Sequence, residues 1–111
     1  MITYVVEFTP EAEEQLVSLL LDIAQAASSG KTAQRYVDAI VDHCEALSTF
    51  PKRGVQRDDI RPGLRLTNYR GRTVVAFSVN DVTATVSILG VFYGGQDYEK
   101  NLMLDLDSPI P

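Results

Sequence analysis

The chain has 111 residues, 45% hydrophobic and 23% charged, with five prolines and seven glycines. That composition excludes collagen-like, coiled-coil and fully disordered organisation. The length suits one domain, burying roughly 65% of the surface it would expose unfolded.

Ile2, Tyr4, Val6 and Phe8 alternate with polar neighbours, the period of a strand. Thr9-Pro10-Glu11 then gives an N-cap, a proline at the first helical position and an acid in the first turn. Ala12, Leu16, Leu19, Leu20, Ile23 and Ala27 recur at helical spacing, and Ser28-Ser29-Gly30 ends that helix. Thr32 is placed to cap a second helix with an apolar stripe of Ala33, Tyr36, Val37, Ile40, Val41, Cys44 and Leu47. Phe50-Pro51 closes it, because the residue before proline is driven out of the helical region. After a basic loop through Pro62-Gly63, three alternating runs follow: 64–69, 72–79 and 83–93. Short turns at Arg70-Gly71 and Asn80-Asp81 make them an antiparallel meander. Gly94-Gly95 breaks the last strand, and Asp97 is placed to cap a short helix through Leu104.

The expected fold is therefore α+β, in the order β-α-α-β-β-β, with a helix hairpin on one face of a mostly antiparallel sheet and a short C-terminal helix. One domain spans 1–104, and 105–111 form a loose tail. Expected to be buried together are Leu16, Leu20, Ile23, Val37, Ile40, Val41, Leu66, Val75, Phe77 and Val86.

A lone Cys44 cannot form an internal disulfide, and with only His43 beside it no zinc site is expected, nor any cofactor. No leader or membrane span is read, so the expected location is the cytoplasm. Cys44 lies in the apolar stripe as a small core residue. His43 reads as a solvated side chain on the polar side of its helix. Asp58-Asp59 read as counter-charges to Arg57 and Arg61.

The net charge of −5 is unevenly spread. Residues 52–72 hold seven basic against two acidic residues, net +5, while the other ninety carry −10. Six of the seven arginines lie in that stretch. Such a segment either recruits an acidic ligand or balances the acidic helices. If both hairpin turns have two residues, Leu64 pairs with Phe77 and Phe77 with Ala84. Leu64, Leu66, Val75, Phe77, Val86 and Ile88 then face the helices. Arg65, Thr67, Tyr69, Arg72, Val74 and Ala76 face the other way as a cationic shelf, with Leu89 and Val91 on the same side. Arg61, Arg65, Arg72, Tyr69, Tyr93 and Gln96, with Tyr98 nearby, are the candidates for binding a target through guanidinium forks and aromatic faces. Leu19, Leu21, Leu89 and Val91 are the candidates for binding a protein partner.

Four segments carry a resemblance: 6–12 (Val-Glu-Phe-Thr-Pro-Glu-Ala), 50–54 (Phe-Pro-Lys-Arg-Gly), 60–65 (Ile-Arg-Pro-Gly-Leu-Arg) and 88–99 (Ile-Leu-Gly-Val-Phe-Tyr-Gly-Gly-Gln-Asp-Tyr-Glu). In this order they resemble the RelE/ParE superfamily of bacterial toxins over about residues 3–102. The resemblance implies a toxin of a type II toxin–antitoxin pair with that family's fold, neutralised by a cognate antitoxin that wraps it. Operator DNA would be met only through the antitoxin. RelE-like members cut mRNA at the ribosome, which would give Arg65, Arg72 and Tyr93 catalytic roles. ParE-like members poison DNA gyrase and are not nucleases. The chain lacks RelE's lysine-rich loop, and Tyr-Gly-Gly-Gln follows its last strand where RelE carries arginine or histidine. The long helices, this ending and the acidic total are closer to the ParE branch. A relative that keeps only antitoxin binding is the third alternative.

Overall fold

The computed structural model describes residues 3–70 and 73–94. In chain order it contains β1 (Val5–Phe8), α1 (Pro10–Ala27), α2 (Gly30–Glu45), a single 3₁₀ turn (Ala46–Ser48), β2 (Val55–Gln56), β3 (Leu64–Tyr69), β4 (Thr73–Asn80) and β5 (Thr85–Tyr93). The five strands form one sheet in the order β1-β5-β4-β3-β2. β1 runs parallel to β5, and every other pairing is antiparallel. The helix hairpin covers one face, the expected α+β arrangement, with β2 as an additional edge strand. The expected helix capped by Asp97, and the tail at 105–111, lie outside the described residues.

Local chemistry sets the helix boundaries. Thr9 Oγ1 accepts the Ala12 N–H at 3.2 Å, and its hydroxyl donates to the Ile88 carbonyl at 2.9 Å. One side chain thus caps α1 and ties its start to β5. Ser28 ends α1 in the left-handed region at φ 52°. Ser29, rather than Thr32, caps α2: its Oγ accepts the Thr32 N–H at 3.3 Å. The interhelical turn is therefore shorter than the sequence suggested.

The core between helices and sheet contains Ala12, Leu19, Val37, Ile40, Cys44, Leu47, Val75, Phe77, Val86, Ile88 and Val91. Leu16, Leu20, Ile23 and Val41 pack against it half-buried. Burying a side chain the size of Ile40 or Phe77 stabilises the fold by about 1.5–3 kcal/mol each.

The strand register differs from the two-residue-turn expectation. Tyr69 pairs with Thr73, so three residues connect β3 and β4, and Leu64 stands opposite Ser78 rather than Phe77. Arg70 enters this connection at φ 52°, an unfavourable conformation for a residue with a Cβ. Asn80 pairs with Thr85, leaving a four-residue loop between β4 and β5. Asn80 Oδ1 organises that loop by accepting the Val82 and Thr83 N–H groups. A one-residue slip turns a strand over. Leu64 and Leu66 accordingly leave the helix side, and Arg65, opposite Phe77, joins it.

A second irregularity lies in β5. Ala76 faces Gly90 and Phe77 faces Ile88, so Leu89 is an extra residue in a bulge. Ile88 and Val91 therefore both point to the helices, while Leu89 and Phe92 point away. On that far face Ile60, Leu64, Leu66, Ala76 and Phe92 form a smaller buried cluster, flanked by Val74 and Leu89. Ile60 belongs to the loop before β3, which folds across this end of the sheet. The open shelf expected there is instead partly a core.

Candidate functional site

At the β2–β3 side of the molecule the basic segment meets the end of α2. Arg65 is its organising residue. Its Nε donates to the Arg53 carbonyl at 3.1 Å and its Nη2 to the Lys52 carbonyl at 2.6 Å. Gly54 allows this crossing. It sits at φ 75°, and a Cβ there would collide with the Leu66 carbonyl. Lys52 Nζ lies 2.8 Å from Asp81 Oδ2, and Tyr4 donates its hydroxyl to Asp81 Oδ1 at 2.7 Å. These two partners hold the Asp81 carboxyl below the usual carboxylate range, the lysine hydrogen bond contributing most. Asp59 is held low in the same way by a bidentate bond from Arg57. The counter-charge reading of Asp59 thus holds for Arg57. Asp58 instead accepts from Gln56 Nε2 and from the Gly63 N–H.

Behind this loop, on the helix side of the sheet, is an aromatic cluster. Tyr36 of α2 makes edge-to-face contacts with Tyr69 at 6.0 Å and Tyr93 at 5.9 Å between ring centroids. Its hydroxyl lies 3.0 Å from Oγ1 of the fully buried Thr73. The His43 ring is 5.3 Å from that of Tyr69. Its Nε2 is buried with no hydrogen-bond partner. Desolvation first, and the Arg53 charge second, lower the His43 pKa. Two arginines lie against aromatic rings at the margin: Arg70 is 5.4 Å from the Tyr69 ring centroid, and Arg53 5.3 Å from that of Phe50.

The candidates for target binding are thus only partly assembled. Tyr69 and Tyr93 come together through Tyr36, half-buried. Arg65 lies four residues before Tyr69 on β3 and is engaged by the loop backbone. Arg61 lies half-buried in the turn before β3, where its carbonyl accepts the Leu64 N–H. Arg72, Gln96 and Tyr98 lie outside the described residues. Among the partner-binding candidates Leu21 is 63% exposed, whereas Leu19 and Val91 are core and Leu89 is half-buried. Val91 moved inward because of the bulge. Cys44 is buried as expected, its thiol pushed up to about 12 by desolvation, which leaves it unreactive.

His43 also differs from its expected position. It is not on the solvated side of α2. Seven residues after Tyr36 and three after Ile40, it occupies the flank of the buried stripe, and that spacing was the available signal.

Residues 6–98 match the family model described as the ParE toxin of type II toxin–antitoxin system, parDE. The chain belongs to the ParE toxin family. It is a type II toxin of the RelE/ParE superfamily, and solved structures of that superfamily share its fold. A chain of the RelBE2 toxin–antitoxin complex from Mycobacterium tuberculosis superposes with a TM-score of 0.61 and 24% identity, over 83% of this chain and 99% of its own. A chain of the chromosomal ParDE system of P. aeruginosa gives 0.69 and 20% identity, over 85% and 99%. A mutant of the free E. coli toxin RelE gives 0.58 and 11% identity, over 94% and 97%. At these identities the likeness is one of fold. Comparison with curated protein sequences gives no match. Among the described residues of this ParE-family chain, no helix is long and apolar enough to cross a membrane.

Proposed function

We propose that this ParE-family protein is a cytoplasmic toxin that acts by binding DNA gyrase rather than by cutting mRNA, and that a cognate antitoxin neutralises it. The observation that carries the first part is the engagement of Arg65. A ribonuclease with its charge stabilisation on the central strands needs free guanidinium donors aimed at the scissile phosphate. Here the Nε and Nη2 of the strand arginine donate to the Lys52 and Arg53 carbonyls, on the helix side of the sheet. Arg65 is then a positioning residue of the basic loop. The match of residues 6–98 to the ParE family model supports the same reading.

The antitoxin part is supported by relatives of this fold that come from toxin–antitoxin systems. On this chain Val17 and Leu21, one turn apart on α1, are 57% and 63% exposed beside Glu13 and Glu14. An amphipathic antitoxin segment with apolar residues and flanking basic groups fits that strip. Operator DNA is reached only through the antitoxin.

Two measurements test this. Purified toxin should inhibit gyrase supercoiling, and its expression should raise the DNA-damage response without new transcript ends. Ribosome-dependent transcript cleavage with undisturbed gyrase would replace this reading by the ribonuclease one. The product of the neighbouring gene should raise the melting temperature of the toxin, since a ligand that binds only the native state stabilises it by mass action. No shift would remove the antitoxin assignment.

A further inference from the structure

We propose that Phe50 and Arg53 form a pre-organised cationic–aromatic prong that grips an apolar socket rimmed by carboxylates on the toxin's protein target. This deepens the proposed function and rests on its premise that toxicity is exerted by binding a protein.

Phe50 is 59% exposed, whereas Phe77 and Phe92 are buried and Phe8 is half-buried. The Arg53 guanidinium, over the Phe50 ring, extends the apolar surface with a planar cation. Thr49, Phe50, Pro51, Lys52 and Arg53 line an open concavity of about 400 Å³ at the same place. Aromatic rings and arginines are the side chains that most often dominate protein interfaces.

The prong is held from both ends. On its N-terminal side, the Thr49 and Phe50 N–H groups donate to the Ala46 carbonyl of the 3₁₀ turn. On its C-terminal side, Arg65 fixes the Lys52 and Arg53 carbonyls, and Asp81 fixes the Lys52 side chain. Much of the ordering cost of association is thereby met in the free protein.

Charge decides the class of partner. Lys52 is neutralised by Asp81, and Arg57 is bound to Asp59. Among the described residues Arg53 makes no ion pair, so the prong presents one available cation beside one ring. Nucleic acid binding draws on several phosphate contacts, whereas two cations next to the prong in the chain, Lys52 and Arg57, are already paired with Asp81 and Asp59. One guanidinium and one ring match a carboxylate beside an apolar socket.

The test uses the full chain carrying Phe50→Ala, Arg53→Glu or Arg53→Lys. Growth inhibition is normalised to folded protein, and antitoxin affinity serves as the control. Phe50→Ala and Arg53→Glu should each weaken inhibition at least about tenfold. Their melting temperatures and antitoxin affinities should stay within about 3 °C and threefold of wild type, and Arg53→Lys should keep most activity. Wild-type inhibition by both variants would overturn the proposal. So would a parallel loss of antitoxin affinity, wild-type binding to single-stranded RNA that Phe50→Ala abolishes, or a wild-type chain that does not inhibit growth. Gyrase supercoiling is measured alongside. Growth inhibition without a gyrase effect removes the gyrase assignment and leaves the prong to the growth data.

Discussion

Replacing Arg65 by alanine separates a role in folding the basic loop from a role in meeting a target. The side chain makes two hydrogen bonds from a charged donor, at 3.1 and 2.6 Å, to the carbonyls of Arg53 and Lys52. Buried bonds of this type contribute roughly 1.5–3 kcal/mol each, but these lie at the surface, where water competes. A loss of about 2 kcal/mol in all is therefore expected, concentrated in the segment from Phe50 to Gln56. Arg65→Lys cannot span two carbonyls with a planar fork and should lose about half of that. Urea denaturation measures the global change, and amide exchange locates it. The N–H groups of the Val55–Gln56 strand should exchange faster, while those of Ile40 and Phe77 change only in step with global stability. If Arg65→Ala leaves stability and the exchange at Val55 and Gln56 unchanged while abolishing toxicity, Arg65 acts on the target directly and the positioning role is wrong.

Tyr36→Phe removes the hydroxyl beside buried Thr73 Oγ1 and should cost about 1–2 kcal/mol; adding Thr73→Val should recover part of it, checked by a double-mutant cycle. His43 titrates below its ordinary value in the folded chain, so the unfolded chain binds its proton first as the solution is acidified. The His43 contribution is complete above about pH 6.5 and is lost as pH falls through the lowered folded value; melting curves between pH 7.5 and 5 should show a decline that His43→Gln reduces. Phe77→Ala, at a fully buried site under both helices, should cost about 3–5 kcal/mol by denaturant titration.

The helix hairpin was legible because its signals are local. Thr9 and Pro10 start α1, and the stripe through Ala33, Val37, Ile40 and Cys44 is periodic enough to name most of the buried residues of α2. The register was not legible, because it depends on loop lengths that composition does not determine. Arg70 adopts a positive φ despite its Cβ, lengthening one connection, and Asn80 stabilises a four-residue loop where Asn-Asp suggested two. The longer β3–β4 connection shifts the register by one residue and reverses a face, which is how Arg65 crossed to the helix side and Leu66 left it; the β4–β5 loop shifts it by four and keeps the faces. The bulge at Leu89 has no compositional marker either, and it turned Val91 from an expected surface residue into core. Tyr69 and Tyr93, chosen by type and position, come together around Tyr36. The role of Arg65 was hidden because its partners are main-chain carbonyls, which every sequence contains.

The parallel pairing of β1 with β5 also governs when the molecule can be completed. Val5 stands beside Thr85, eighty residues later in the chain. At synthesis rates of roughly 5–20 residues per second, β1 waits roughly 4–16 s after its own synthesis before its partner strand exists. The α1–α2 hairpin has only near-neighbour contacts to make and can form in that interval. Tyr4 has no Asp81 to bind until the β4–β5 loop is made. A nascent chain therefore carries β1 unpaired until Thr85–Ile88 have been made, and a product terminated before Thr85 never closes the sheet. For a toxin this couples the finished surface to the synthesis of β5.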